Sequence, residues 1–338
     1  MVLSFAVRSL QLSVCSTLRD ERAVAEQYGV HQSPSGKGAG VERHTLASIT
    51  AREIDSQPVV WTEALTDAET SAPVFGQLGE RVLLLGCGTS AFVAESIAAL
   101  REGAGLGLTD GAYASEWRPG RSYDRVVVIS RSGTTSEVVA SLALVEAGVV
   151  KALITGVHGS PIGDLVVEQL VLDRADEASV VQTRFPTTVL ALARAAFGDD
   201  LTGLVGQGAD ALAAPLPVRP ADFDHFVFLG SGWTYGLAQE AALKVREAAQ
   251  AWSESYPMLD YRHGPIAVAH RGTLVTIFGD ADADLVADIE ATGAAVQASD
   301  ADPLVQLVQA QRLAVALAES RGLSPDNPRH LTRSVVLK

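Results

Sequence analysis

The run Val126-Val127-Val128-Ile129-Ser130-Arg131-Ser132-Gly133-Thr134-Thr135-Ser136 decides how this chain is read. Four aliphatic residues in a row, with no polar alternation, describe a strand covered on both faces, which is the habit of a parallel sheet. Where the run ends, five hydroxyls and one glycine follow within seven residues. The spacing then predicts a helix over 136–147. In open parallel sheets ligands gather at the carboxyl ends of strands. Hydroxyls and backbone N–H groups at the start of a helix make a neutral cradle for phosphate. A helix cap alone needs only one such hydroxyl.

The same grammar extends outward in both directions. Apolar runs predict strands over 82–86, 126–130, 152–155 and 170–172, and Ala-rich stretches predict helices over 90–101 and 186–196. Upstream, 44–65 has helical spacing with a break at Pro58. The second half repeats the order, with strands over 226–230 and 274–278 and helices over 237–249 and 304–319. Leu84-Leu85-Gly86-Cys87-Gly88-Thr89-Ser90 matches Phe228-Leu229-Gly230-Ser231-Gly232-Trp233-Thr234, each copy being strand, Gly-x-Gly, hydroxyl, helix. The fold class expected is α/β. Two tandem units follow one another, each a doubly wound, flavodoxin-like parallel sheet flanked by helices. The boundaries read as a disordered extension over 1–40, a helical arm over 41–75, a first domain over 76–215 and a second over 216–338.

Composition excludes several classes. The chain has 338 residues, 47% of them hydrophobic, with 26 basic against 40 acidic residues and a formal charge of −14. That balance argues against nucleic acid as a partner, which needs a basic face. Any anionic ligand must be held by a local device. The two cysteines, Cys15 and Cys87, are too few for a disulfide framework and lack metal-ligand spacing. No metal and no cofactor are expected, and a reducing cytoplasm fits best. No apolar run approaches the ~18 residues that span a membrane. Met1–Asp20 lacks the uninterrupted apolar stretch of a secretory signal, and 32–40 reads as a flexible Gly/Ser/Pro linker. Residues 1–40 are therefore expected to be dispensable.

Gly86-Cys87-Gly88-Thr89-Ser90-Ala91 also fits a loose dinucleotide pattern. A nucleotide fold would next require an acidic residue closing a second strand, and Asp110 sits in a Gly-rich stretch of poor strand character. In the second half, Glu240, Lys244 and Glu247 fall on one helix face at spacings of four and three. They read either as a solvated salt-bridge face or as chemistry at the ligand edge. His263 precedes Gly264-Pro265, which forces a turn and places it on a loop. The second half's counterpart of the hydroxyl turn, Phe278-Gly279-Asp280-Ala281, carries no hydroxyl, so one phosphate site is expected, in the first half.

Together these residues resemble the sugar isomerase (SIS) domain family, from about residue 45 to 338, as two tandem SIS domains. Ser130-Arg131-Ser132-Gly133-Thr134-Thr135 is similar to the family's Ser-x-Ser-Gly-x-Thr signature. The stretch from Glu240 to Glu247, Arg262-His263-Gly264-Pro265, and the run from Asn327 to Val335 resemble the isomerase half of glucosamine-6-phosphate synthase. The run from Thr50 to Trp61 resembles the start of the stand-alone tagatose-6-phosphate ketose/aldose isomerase group. The resemblance implies that Ser90, Ser130, Arg131, Ser132 and Thr135 hold a phosphate and that the backbone of Val180 touches the sugar. It implies that Glu247 moves a proton between C1 and C2, that Lys244 sits near the sugar hydroxyls, and that His263 opens the ring, reaching in from the second subunit of a homodimer. Two departures bear on function. Arg333 stands where the synthase has a Lys associated with Schiff-base chemistry, which Arg cannot perform. Nor does Cys15 sit where a glutaminase nucleophile would. The expected activity is therefore that of an amino-sugar-6-phosphate deaminase/isomerase on glucosamine- or galactosamine-6-phosphate, the alternatives being a fructosamine-6-phosphate deglycase and a non-enzymatic sugar-phosphate-binding regulator.

Overall fold

A computed structural model describes residues 47–336; the expectations for 1–40, for the start of the arm and for Cys15 lie outside the described residues. The described chain opens with α1 (Ile49–Asp55), α2 (Gln57–Leu65) and α3 (Ala68–Ser71). The first break falls at Ser56 rather than at Pro58, because Pro58 occupies the first turn of α2, where a missing N–H costs nothing. Trp61 is fully buried and its indole donates to Thr187. These helices are thus anchored by a large apolar side chain whose one polar atom is satisfied.

The first sheet follows: β1 (Val82–Gly86), α4 (Thr89–Gly103), β2 (Thr109–Tyr113), β3 (Arg125–Ile129), α5 (Ser136–Leu142), β4 (Val150–Thr155), β5 (Glu168–Val171) and α6 (Arg184–Ala196). After α7 (Leu204–Ala213), the second sheet comprises β6 (His225–Gly230), α8 (Thr234–Ala249), β7 (Trp252–Pro257), β8 (Thr273–Ile277), α9 (Ala283–Ala291), β9 (Ala295–Gln297) and α10 (Pro303–Ser320). The strand orders are β2-β1-β3-β4-β5 and β7-β6-β8-β9, every pair parallel. The second sheet repeats the order of the first four strands, the doubly wound arrangement the sequence predicts.

The uninterrupted apolar runs have a simple cause. On β1, Val82 and Leu84 face a central core, while Leu83 and Leu85 face a separate outer cluster with Val138 and Leu142 of α5. On β6, Phe226 and Phe228 join the same central core, and Val227 and Leu229 face an outer cluster with Leu285 and Ile289 of α9. The central core lies between the two sheets and is filled by α4, α6, α8 and α10. Gly86 and Gly230 end the two leading strands. A Cβ on either would stand 2.3 Å from the backbone of Ser90 or of Thr234. Each glycine lets the next helix begin directly above its strand.

The stretch around Asp110, of poor strand character in the sequence, is nonetheless a strand, β2. It is an edge strand, paired with β1 alone, and needs no apolar run. Gly111 is required because α4 crosses it, a Cβ there lying 2.7 Å from the Glu95 Cα. Asp110 sits near the beginning of the strand and is held by Arg121 and Tyr123, far from the carboxyl end where a nucleotide ribose would be read. The edge strand β7 is polar for the same reason. The helix expected over 136–147 stops at Leu142.

Candidate functional site

The crevice that matters opens between the carboxyl ends of β1 and β3, where successive helices leave for opposite faces of the sheet. A pocket of about 220 Å³ occupies it. Its floor is the turn after β3. Gly133 has φ +64°, and a Cβ there would meet the Ser160 side chain at 2.2 Å. Only glycine allows this turn to close, and the closure gathers the hydroxyls. Ser130 Oγ and Thr135 Oγ1 are 3.0 Å apart, as are Ser132 Oγ and Thr134 Oγ1. Ser90, at the start of α4, lines the pocket from β1's side.

The second sheet contributes through α8, which packs across α4. Lys244 is fully buried. Its Nζ donates to Glu247 Oε2 at 2.7 Å and to Thr89 Oγ1 at 3.2 Å, and lies 3.3 Å from Glu240 Oε1. Burial pushes the Glu240 carboxyl up to about 7, the charge of Lys244 opposing it. Burial alone would depress Lys244, but the two carboxylates outweigh it and raise its pKa. Glu247 is the member of this triad that lines the pocket. It is a carboxylate held by one ammonium and presented to the hydroxyl-lined turn.

Two further walls come from distant sequence. The loop over 176–183 carries Val180 and Gln182 into the pocket. Buried carboxylates fix it. Glu53 of α1 accepts from the N–H groups of Ala178 and Ser179, and Glu177 accepts from Thr183 and Arg184. The C-terminal segment over 331–335 forms the other wall. Ser334 Oγ lies 3.1 Å from Ser132 Oγ and 2.6 Å from Thr134 Oγ1. Arg333, which also lines the pocket, grips both Asp176 carboxylate oxygens and the Glu177 carbonyl.

The structure therefore brings Ser90, Ser130, Arg131, Ser132, Thr135, Val180 and Glu247 to one pocket. Lys244 stands behind Glu247. Arg131 is almost wholly buried, and its guanidinium donates to the carbonyls of Ser179 and Arg333, each at 2.9 Å, beside Glu177. It ties the turn to the loop and the tail. His263 is exposed on a 3-10 turn over 258–263 and does not line the pocket of its own chain. Residues that sequence reasoning did not single out are Thr89, Glu137 and Gln182. The first is a hydroxyl directly after Gly-x-Gly, and the second an acid directly after the hydroxyl run. Those adjacencies were the available signals. Among the described residues, no cluster of three or more His, Cys, Asp or Glu could hold a metal ion, and no helix is long and apolar enough to cross a membrane.

Comparison with known proteins agrees with this architecture. Residues 79–197 match the family model described as the SIS domain, a stretch that takes in the whole first sheet. Over 98% of its length the chain is 28% identical to a glutamine–fructose-6-phosphate aminotransferase (isomerizing) of Gloeobacter violaceus, spanning 66% of that protein. It is 27% identical to the corresponding Methanothermobacter thermautotrophicus protein, covering 57% of it. The chain thus spans about half to two-thirds of the length of the curated relatives it matches. Among solved structures, glucosamine-6-phosphate deaminase from Thermotoga maritima superposes with a TM-score of 0.75 at 28% identity, covering 86% of this chain and 100% of that one. Tagatose-6-phosphate ketose/aldose isomerase from Escherichia coli shares the fold, with a TM-score of 0.70 at 21% identity over 86% of this chain and 96% of that one.

Proposed function

We propose that this chain is a sugar-phosphate isomerase that acts on a hexosamine 6-phosphate, glucosamine- or galactosamine-6-phosphate, and releases ammonia. The observation that carries the reading is the position of Glu247, presented by the second lobe to a hydroxyl-lined turn of the first within one pocket. Ser90, Ser130, Ser132 and Thr135 hold the phosphate of an open-chain sugar. Arg131 keeps that turn in register with the loop bearing Val180, whose backbone borders the sugar. Glu247 takes the C2 proton of the aldehyde form and a proton is returned at C1, which leaves an imine at C2. Water adds to the imine and ammonia departs, giving the ketose phosphate. General acid–base transfer of this kind typically contributes ~10²–10⁴-fold. Lys244 orients Glu247 through the hydrogen bond from its ammonium. His263, on the surface of its own chain, is assigned to ring opening in the site of a second copy, which makes the working unit a homodimer. The similarity to the Thermotoga maritima deaminase supports the ammonia-releasing direction.

The test is ammonia release and ketose formation across hexosamine 6-phosphates, with the unphosphorylated sugars alongside. Turnover of a 6-phosphate with none of the free sugar is expected. Equal handling of glucosamine and its 6-phosphate would remove the cradle from the argument. Binding without turnover of any hexosamine phosphate would favour the regulator.

A further inference from the structure

We propose that Glu137 is the residue by which this pocket selects a sugar phosphate carrying a protonated amine over its neutral counterpart. The inference rests on the reading of the site as a phosphosugar site and adds a determinant of its ligand's charge.

Three observations lead to it. Glu137 lines the pocket two residues beyond Thr135, and one of its carboxylate oxygens is sealed from water with no hydrogen-bond partner. The amide oxygen of Gln182, also lining the pocket, is in the same condition. Buried acceptors left unpaired are uncommon in folded proteins because each is destabilising. Two in one pocket indicate that a ligand supplies the donors. Solvated helix-surface carboxylates, by contrast, satisfy themselves with water.

The second observation is the fate of the cations. Arg131 is committed to the carbonyls of Ser179 and Arg333, Arg333 to Asp176, and Lys244 to Glu240 and Glu247. None of these three hydrogen-bonds to Glu137 or to a hydroxyl of the turn, and each is paired with a carboxylate of its own. The third is the reach of the Glu137 charge across the crevice. Burial and the Glu137 carboxylate together push the Cys87 thiol up to about 11, with the Ala114 backbone opposing.

A phosphate dianion in the hydroxyl cradle therefore meets a carboxylate lining the same pocket, while these three cations are already paired with other carboxylates. A hexose phosphate without an amine suffers that repulsion and leaves Glu137 unpaired. A hexosamine phosphate brings its own ammonium, which offers up to three N–H donors to an ionised acceptor, the stronger kind of hydrogen bond. Sites built to pair a substrate donor discriminate against analogues lacking it far more than apolar pockets do.

The experiment is calorimetric titration of the full chain at pH 6.5, in a Glu247→Gln background that stops turnover, with glucosamine 6-phosphate, glucose 6-phosphate and glucosamine, comparing wild type at position 137 with Glu137→Gln and Glu137→Asp. Wild type is expected to prefer the amino sugar phosphate by ~10-fold or more. Glu137→Gln should bring that ratio close to one, losing affinity for the amine while binding glucose 6-phosphate as well as or better than wild type. Glu137→Asp, which keeps the charge, should retain a preference. An unchanged ratio in Glu137→Gln, or equal weakening towards both phosphates, overturns the assignment while the phosphosugar reading stands. Wild type that binds neither phosphate overturns both.

Discussion

The two sheets share one topology, yet their equivalent crevices, between β1 and β3 and between β6 and β8, are put to different uses. In the first lobe, the turn after β3 turns its hydroxyls to a pocket. In the second, the equivalent position is closed by its own side chains. Thr234 Oγ1 accepts from the Ser231 N–H and contacts the carbonyls of Ser231 and Phe278, while Gln306 accepts from the Gly279 N–H. The groups that could meet a ligand in the second lobe are thus consumed internally. What that lobe gives instead is the triad of α8, delivered sideways to its neighbour. The same unit serves once as a cradle and once as a buttress, and the side chains in two short turns decide which.

The comparison can be broken most severely at Glu247. Glu247→Gln keeps size and most hydrogen bonding but cannot accept a proton, so kcat should fall by ~10²–10⁴-fold with KM little changed. Exchange of the C2 proton with deuterated solvent should stop as well. Exchange at the wild-type rate would assign the base elsewhere. Next in size is the cradle. Ser132→Ala combined with Thr135→Ala removes two hydrogen bonds to a charged group, each worth ~1.5–3 kcal/mol. Titration should then show sugar-phosphate affinity lowered ~100-fold or more.

A smaller effect concerns Glu240. Its carboxyl titrates near 7 in the fold against an ordinary value of 4.5. Between those values the unfolded chain releases the proton while the folded chain keeps it. Stability from this group is therefore complete below about pH 4.5 and is lost as pH rises through 7. Lys244, raised above 10.5, does not titrate in that window. Glu240→Gln has no such proton to lose. The difference in Tm between variant and wild type should move in the variant's favour from pH 5 to pH 8, and a constant difference would show Glu240 ionised throughout. The smallest effect sharpens the contrast between the lobes. Thr234→Ala should cost about 1–3 kcal/mol of stability through its lost internal hydrogen bonds, with sugar-phosphate affinity unchanged. Weakened binding would mean that the second crevice is not closed.

Much of this was legible in the chain because it depends on neighbours in sequence. The buried strands β1, β3, β6 and β8 announce themselves as apolar runs since both of their faces are covered. The hydroxyl turn and the face of Glu240, Lys244 and Glu247 are likewise local patterns. The edge strands β2 and β7 were hidden because an edge needs neither continuous apolarity nor strict alternation. Arg131 was legible as a member of the turn, but not the direction of its guanidinium, since its acceptors lie 48 and 202 residues away. Glu53 was silent for the same reason. A lone acid carries no mark of the loop it will pin across 125 residues.

The Asp326 carboxylate accepts from the N–H groups of Ile49 and Thr50, 277 and 276 residues away, and so clasps the start of α1. Just beyond it, the segment over 331–335 walls the pocket of the first lobe. The pocket is therefore closed by parts of the chain far apart in sequence, namely the hydroxyl turn, Glu247 and the tail. Any disturbance of the Asp326 clasp is felt in two places at once, at the first helix and at the wall of the pocket.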